Sequence, residues 1–89
     1  MMYPYMTLAD GTEIVHSHLI TEGADRKVIV HMERPCDGGF DTFRVELPTY
    51  RCLIREGFSD EECEFFQHFL QSNAHLLFRY AQNGGVKIA

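Results

Sequence analysis

The chain has 89 residues, with thirteen Asp and Glu against eight Lys and Arg and a formal charge of −5. An acidic balance with scattered cations disfavours duplex binding through phosphate neutralisation. No apolar run approaches the roughly 18 residues that a membrane span requires.

The length suits a single domain, 1–89, with a small core. Seven Phe and four Tyr enlarge that core, because each buried aromatic removes about 150–250 Å² from water. The opening residues, Met1-Met2-Tyr3-Pro4-Tyr5, carry neither the basic nor the apolar region of a secretory signal. Cys36, Cys52 and Cys63 form no Cys-x-x-Cys pair. Reduced thiols in a cytoplasmic protein are the expectation.

In chain order, residues 5–8 run into Asp10-Gly11, whose tolerance of positive φ predicts a two-residue type I′ hairpin. A second strand follows over 13–21. Glu22-Gly23-Ala24-Asp25 then suits a type II′ turn, with Gly23 in the first central position. The third strand is expected over 26–34, a break from Pro35 to Gly39, and a fourth strand over 40–47. Period-2 alternation puts Met6, Leu8, Val15, Leu19, Val28, Val30, Met32, Phe43, Val45 and Leu47 on a core face. The other face receives Tyr5, His16, His18, Lys27, His31, Glu33, Thr42, Arg44 and Glu46, with Ile14, Ile20 and Ile29 among them.

Residues 49–57 show no decisive pattern. Beyond them Ser59-Asp60-Glu61-Glu62 reads as a capping box, with Phe58 and Cys63 placed to staple across it. The helix is predicted as one piece over 60–82, stopped by Asn83-Gly84-Gly85. Cys63, Phe66, Leu70, Ala74, Leu77 and Ala81 form one apolar stripe, and Phe65, Phe69, Leu76 and Tyr80 a second beside it. The expected fold is α+β: a four-stranded antiparallel meander covered on one face by a long C-terminal helix. At about 35 Å the helix should outreach six- to eight-residue strands of about 20–27 Å. Its overhang would be covered by residues 49–57, by residues 86–88 or by a second subunit. The last option is a homodimer formed through Phe65, Phe69, Leu76, Leu77 and Tyr80.

The histidines carry most of the chemical information. A turn at Gly23-Ala24 sets His16 opposite His31. Tyr5, His16, His18, His31 and Glu33 then share one patch, which with Arg44 forms a candidate binding surface. Imidazole with carboxylate suits zinc, so a metal site on the strand histidines is an alternative. An open sheet face encloses ligands poorly, however, and no metal or cofactor is assigned. Cys36 lies in a flexible turn with no general base marked beside it, so no catalytic residue is assigned and no enzyme is expected.

The order of four strands and a capped helix over residues 5–82 resembles the PC4-like single-strand-binding domains. That resemblance implies a curved sheet contacting unpaired nucleic acid through basic and aromatic residues. Here the exposed face offers Lys27, Arg44 and Tyr5, offset by Glu33 and Glu46. Asp60, Glu61, Glu62 and Glu64 open another alternative, in which carboxylates mimic phosphates in an inhibitor of a nucleic-acid enzyme, of anti-restriction or anti-CRISPR type. The leading expectation is a small non-enzymatic interaction or regulatory module. It would engage a protein partner, as a homodimer, through its sheet face or its acidic helix start.

Overall fold

The computed structural model describes residues 2–85. It is α+β, with an antiparallel sheet and one C-terminal helix. The strands are β1 (Met2–Thr7), β2 (Glu13–Ser17), β3 (Ile20–Glu22), β4 (Asp25–Cys36), β5 (Gly39–Leu47) and β6 (Arg51–Glu56), followed by α1 (Asp60–Asn83). The sheet order is β1-β2-β4-β5-β6, with β3 also paired to β4. The sheet therefore exceeds the four strands expected: the segment without a pattern supplies β6, and the second expected strand is divided into β2 and β3.

The division has a physical cause. Next to the Gly23-Ala24 turn, Ile20 lies opposite Lys27 and Glu22 opposite Asp25, the register a two-residue turn dictates. Past Leu19 the ladder has slipped by one residue: Val15 faces His31, and His16 faces Val30. Ser17 mends the interruption, its hydroxyl accepting the Ile29 N–H at 3.0 Å and donating to the His18 carbonyl at 2.7 Å. A one-residue slip turns over every later side chain. Ile14 and His16 consequently lie fully buried under the helix, while Val15 stands on the opposite face.

The other connections also depart from expectation. The first hairpin closes on a three-residue loop, with the Gly11 N–H donating to the Leu8 carbonyl at 3.0 Å and the Leu8 N–H to the Thr12 carbonyl at 2.8 Å. Gly11 at φ +90° supplies the left-handed residue that follows the turn, in place of a type I′ pair. Pro35 does not break its strand: it pairs with Phe40 beyond Glu33, the last residue joined to β2, where no neighbour needs its missing N–H.

Helix α1 is one uninterrupted element. Ser59 and Glu62 close the capping box reciprocally, Asp60, Glu61 and Glu62 fill the first turn, and Gly84 ends the helix in a left-handed conformation. Ile14, Val28, Val30, Met32, Phe43, Val45 and Leu47 of the sheet meet Phe66, Leu70, Leu77 and Ala81 of the helix in one core. The expected overhang does not arise. Strand β4 has 12 residues, about 40 Å, against about 36 Å for the 24-residue helix. Tyr5 of β1 takes up part of the second apolar stripe, packing on Phe69 and Tyr80 and donating its hydroxyl to Asn73 Oδ1 at 2.6 Å. Of the covers expected within the chain, residues 49–57 instead supply β6 at the sheet edge, and residues 86–88 lie outside the described residues.

Candidate functional site

With α1 on one face, the sheet presents its other face without a covering element among the described residues. Because directly opposite residues in an antiparallel sheet share a face, the registers resolve that surface into rows. One row crosses β1, β2, β4, β5 and β6: Pro4, Val15, His31, Arg44 and Ile54. The adjacent row holds Glu13, Glu33, Thr42 and Glu56. Pro35 and Phe40 form a shorter row at its outer end, and Ile29, Glu46 and Arg51 form one on the other side. Val15, Ile29 and Ile54 are half-buried and Phe40 is 60% exposed. The face is mixed, with branched aliphatics set among polar groups.

At its centre the His31 ring accepts a hydrogen bond at Nδ1 from Arg44 Nε, 3.2 Å away, and lies 3.9 Å from Glu33. Burial, reinforced by the Arg44 charge, pushes its pKa down to about 4, so the imidazole is neutral near pH 7. The unfolded ring titrates near 6.5. Between these values the unfolded chain binds the extra proton, so stability is full above about pH 6.5 and falls as pH drops toward 4. The expected contribution is on the order of 2 kcal/mol after allowance for solvent screening. Urea titrations of His31→Gln at about pH 7.5 and about pH 5 should show a smaller loss of stability than the parent over that interval.

The residues expected to form one binding patch separate. His31, Glu33 and Arg44 stand together on the open face, and His18 is exposed at the interruption between β2 and β3. Tyr5 and His16 are on the helix side. His16 is fully buried, with Tyr3 and Tyr5 rings 5.7 and 6.3 Å away. Its Nδ1 donates to the Ser17 carbonyl at 2.8 Å, while Nε2 has no partner. His16 and His31 therefore occupy opposite faces and cannot share an ion. Among the described residues no three His, Cys, Asp or Glu side chains gather closely enough to hold one.

Of the five residues expected to mediate self-association, Leu77 is fully buried within the chain. Phe69 and Tyr80 pack on Tyr5, and Leu76 is half-buried. Phe65 is 54% exposed, beside Leu8 at a hollow of about 220 Å³. Two members of the acidic helix start are already matched to cations: Glu62 to Arg34, and Asp60 to Arg55. That arrangement weakens the phosphate-like array the sequence suggested.

Cys36 is exposed at the β4–β5 turn. Partial desolvation and the neighbouring Asp41 carboxylate raise its thiol pKa, the opposite of the activation a nucleophilic cysteine needs. Sequence reasoning missed Glu13, Val15, Phe40, Ile54 and Glu56 as members of the open face. The paired apolar residues Ile14-Val15, ahead of the polar run His16-Ser17-His18, were the available sign that strand phase changes there. No described helix is long and apolar enough to cross a membrane. Comparison with known proteins finds no matching family model, no matching curated protein and no matching solved structure.

Proposed function

We propose that this protein is a small non-enzymatic interaction module that engages a protein partner through the uncovered face of its sheet. The observation that carries the reading is the row Pro4, Val15, His31, Arg44 and Ile54 spanning β1, β2, β4, β5 and β6. Aliphatic groups there flank a neutral imidazole and a guanidinium, all carried on hydrogen-bonded strands. Such a surface offers apolar area and directional polar groups together, the composition from which interface centres and rims are built. The hollow beside it, lined by Glu13, Val15, Glu33, Pro35 and Phe40, measures about 190 Å³.

The test is affinity purification from the protein's own cells with three baits: the parent, Ile54→Asp on the open face, and Gln71→Asp on the exposed side of the helix. A partner retained by the parent and by Gln71→Asp, but lost from a correctly folded Ile54→Asp, is the expected result. Retention by all three baits would place the contact elsewhere.

A further inference from the structure

We propose that the open face docks a basic segment of its partner, whose lysine or arginine side chains settle on the row Glu13, Glu33 and Glu56. The inference rests on the reading of that face as the contact surface and adds the chemistry of the occupant. Elsewhere the protein matches many of its carboxylates with cations. Arg34 serves Asp10, Asp41 and Glu62; Lys27 serves Glu22 and Glu46; and Arg55 serves Asp60. Glu13 and Glu56 have no such partner among the described residues. Glu33 has only His31 at 3.9 Å, a ring that is neutral near pH 7. The cation of the adjoining row, Arg44, is turned to the His31 ring.

Glu13 stands directly opposite Glu33, an arrangement in which like charges repel across the ladder. Thr42 continues the row to Glu56 on β6. Three strand spacings separate its ends, about 14 Å, so two or three cationic side chains of one segment can reach it together. The apolar flanks fit the same occupant. Val15, Pro35 and Phe40 line the hollow that Glu13 and Glu33 flank. The stem of a lysine or arginine can lie along such walls while its head meets the carboxylates, and the exposed Phe40 ring offers a cation a π face. Nucleic acid, whose phosphates this row repels, is disfavoured by the same charges.

The experiment is an amide-shift NMR titration of the full chain with oligolysine, with fully acetylated oligolysine and a single-stranded oligonucleotide as parallel probes. Two variants of equal charge accompany the parent. One is E13Q/E33Q/E56Q; the other is D37N/E61Q/E64Q, altered at a turn and on the helix. Oligolysine is expected to shift amides of β2, β4, β5 and β6 along the row, and the acetylated peptide to leave them unmoved. Affinity should fall about tenfold in the row variant and change less than about twofold in the other. Equal losses in both variants would reduce the effect to net charge, and preferential oligonucleotide binding would replace the proposed occupant; either overturns the proposal.

A second reading needs no ligand. Removing the repulsion by Glu33→Gln should raise the melting temperature by a few degrees at low salt, the gain vanishing at high salt. A lowered melting temperature would show Glu33 to be stabilising in the free protein and would count against the docking role. A cellular partner lost from Ile54→Asp but kept by E13Q/E33Q/E56Q would leave the interaction face standing and remove only its basic occupant.

Discussion

Replacing Leu77 by Ala is expected to lower the unfolding free energy by about 2–5 kcal/mol, the usual cost of a large-to-small change at a site that cannot collapse. Leu77 is fully buried, in the same core as Leu70 and Phe66 of the helix and the inward residues of β2, β4 and β5. Typical per-residue stabilities of about 0.05–0.15 kcal/mol imply a total of about 4–13 kcal/mol for a chain of this length. The substitution therefore removes a large share, and the melting temperature should fall by about 10–25 °C. The contrasting site is Phe65, 54% exposed and in edge contact with Phe66. Phe65→Ser should cost less than about 1 kcal/mol. Urea melts of Leu77→Ala at two protein concentrations carry the discriminating information. Because Leu77 is covered within its own chain, the midpoint should not move with concentration. A midpoint that rises with concentration would show that a second copy completes the burial.

Much of the architecture could be read from short-range chemistry. The helix and both its ends followed from Ser59, Glu62 and Gly84, because capping is a contract between neighbours in sequence. Strands β4 and β5 were legible because Val28, Val30 and Met32, and then Phe43, Val45 and Leu47, alternate cleanly and are all buried. The type II′ reading of Gly23-Ala24 agrees with positive φ at Gly23 but not at Ala24.

What escaped was set by the backbone rather than by side-chain pattern. Strand β6 lies at the sheet edge, where Cys52 and Leu53 are exposed and only Ile54 is half-buried. Its pairing with β5 rests on main-chain hydrogen bonds that any sequence can make. The slip between β3 and β2 was harder still. Leu19 packs on the core and Val15 does not, although both are apolar and separated by an even number of residues. Period-2 reasoning assumes an unbroken strand, and one extra residue inverts its answer. That inversion moved His16 and Tyr5 off the open face and brought Val15 onto it, which is why half of the expected patch dissolved while His31, Glu33 and Arg44 stayed together.

Gly57→Ala should be among the most damaging single-methyl additions the fold can receive. Gly57 joins β6 to the helix cap at φ +88°, where a side chain carries about 1–2 kcal/mol of strain. A β-carbon there would stand 2.0 Å from Asp41 Oδ1 and 2.7 Å from Asp41 Cγ. Asp41 cannot easily yield, because its carboxylate accepts from Arg34 Nε at 3.0 Å and Nη2 at 2.8 Å. Arg34 in turn binds Asp10 of the first hairpin and Glu62 of the helix cap, and lies 4.7 Å over the Phe58 ring. One methyl group therefore disturbs the junction of two hairpins and the helix start, and the expected cost is at least about 2 kcal/mol. In an Asp41→Ala background the clash with the carboxyl group is gone, and the cost of Gly57→Ala should shrink toward the strain alone; equal costs in both backgrounds would refute the coupling.

The acid limb supplies an independent check. Hydrogen bonds from Arg34 and Ser59 hold Glu62 below its ordinary 4.5, and those from Thr12 and Arg34 hold Asp10 below 3.8. The folded state thus binds fewer protons than the unfolded one. Its added stability is full above those ordinary values and is lost as pH falls through the depressed ones. Gly57→Ala, with Arg34 displaced, should show a shallower loss of stability through that acid range than the parent.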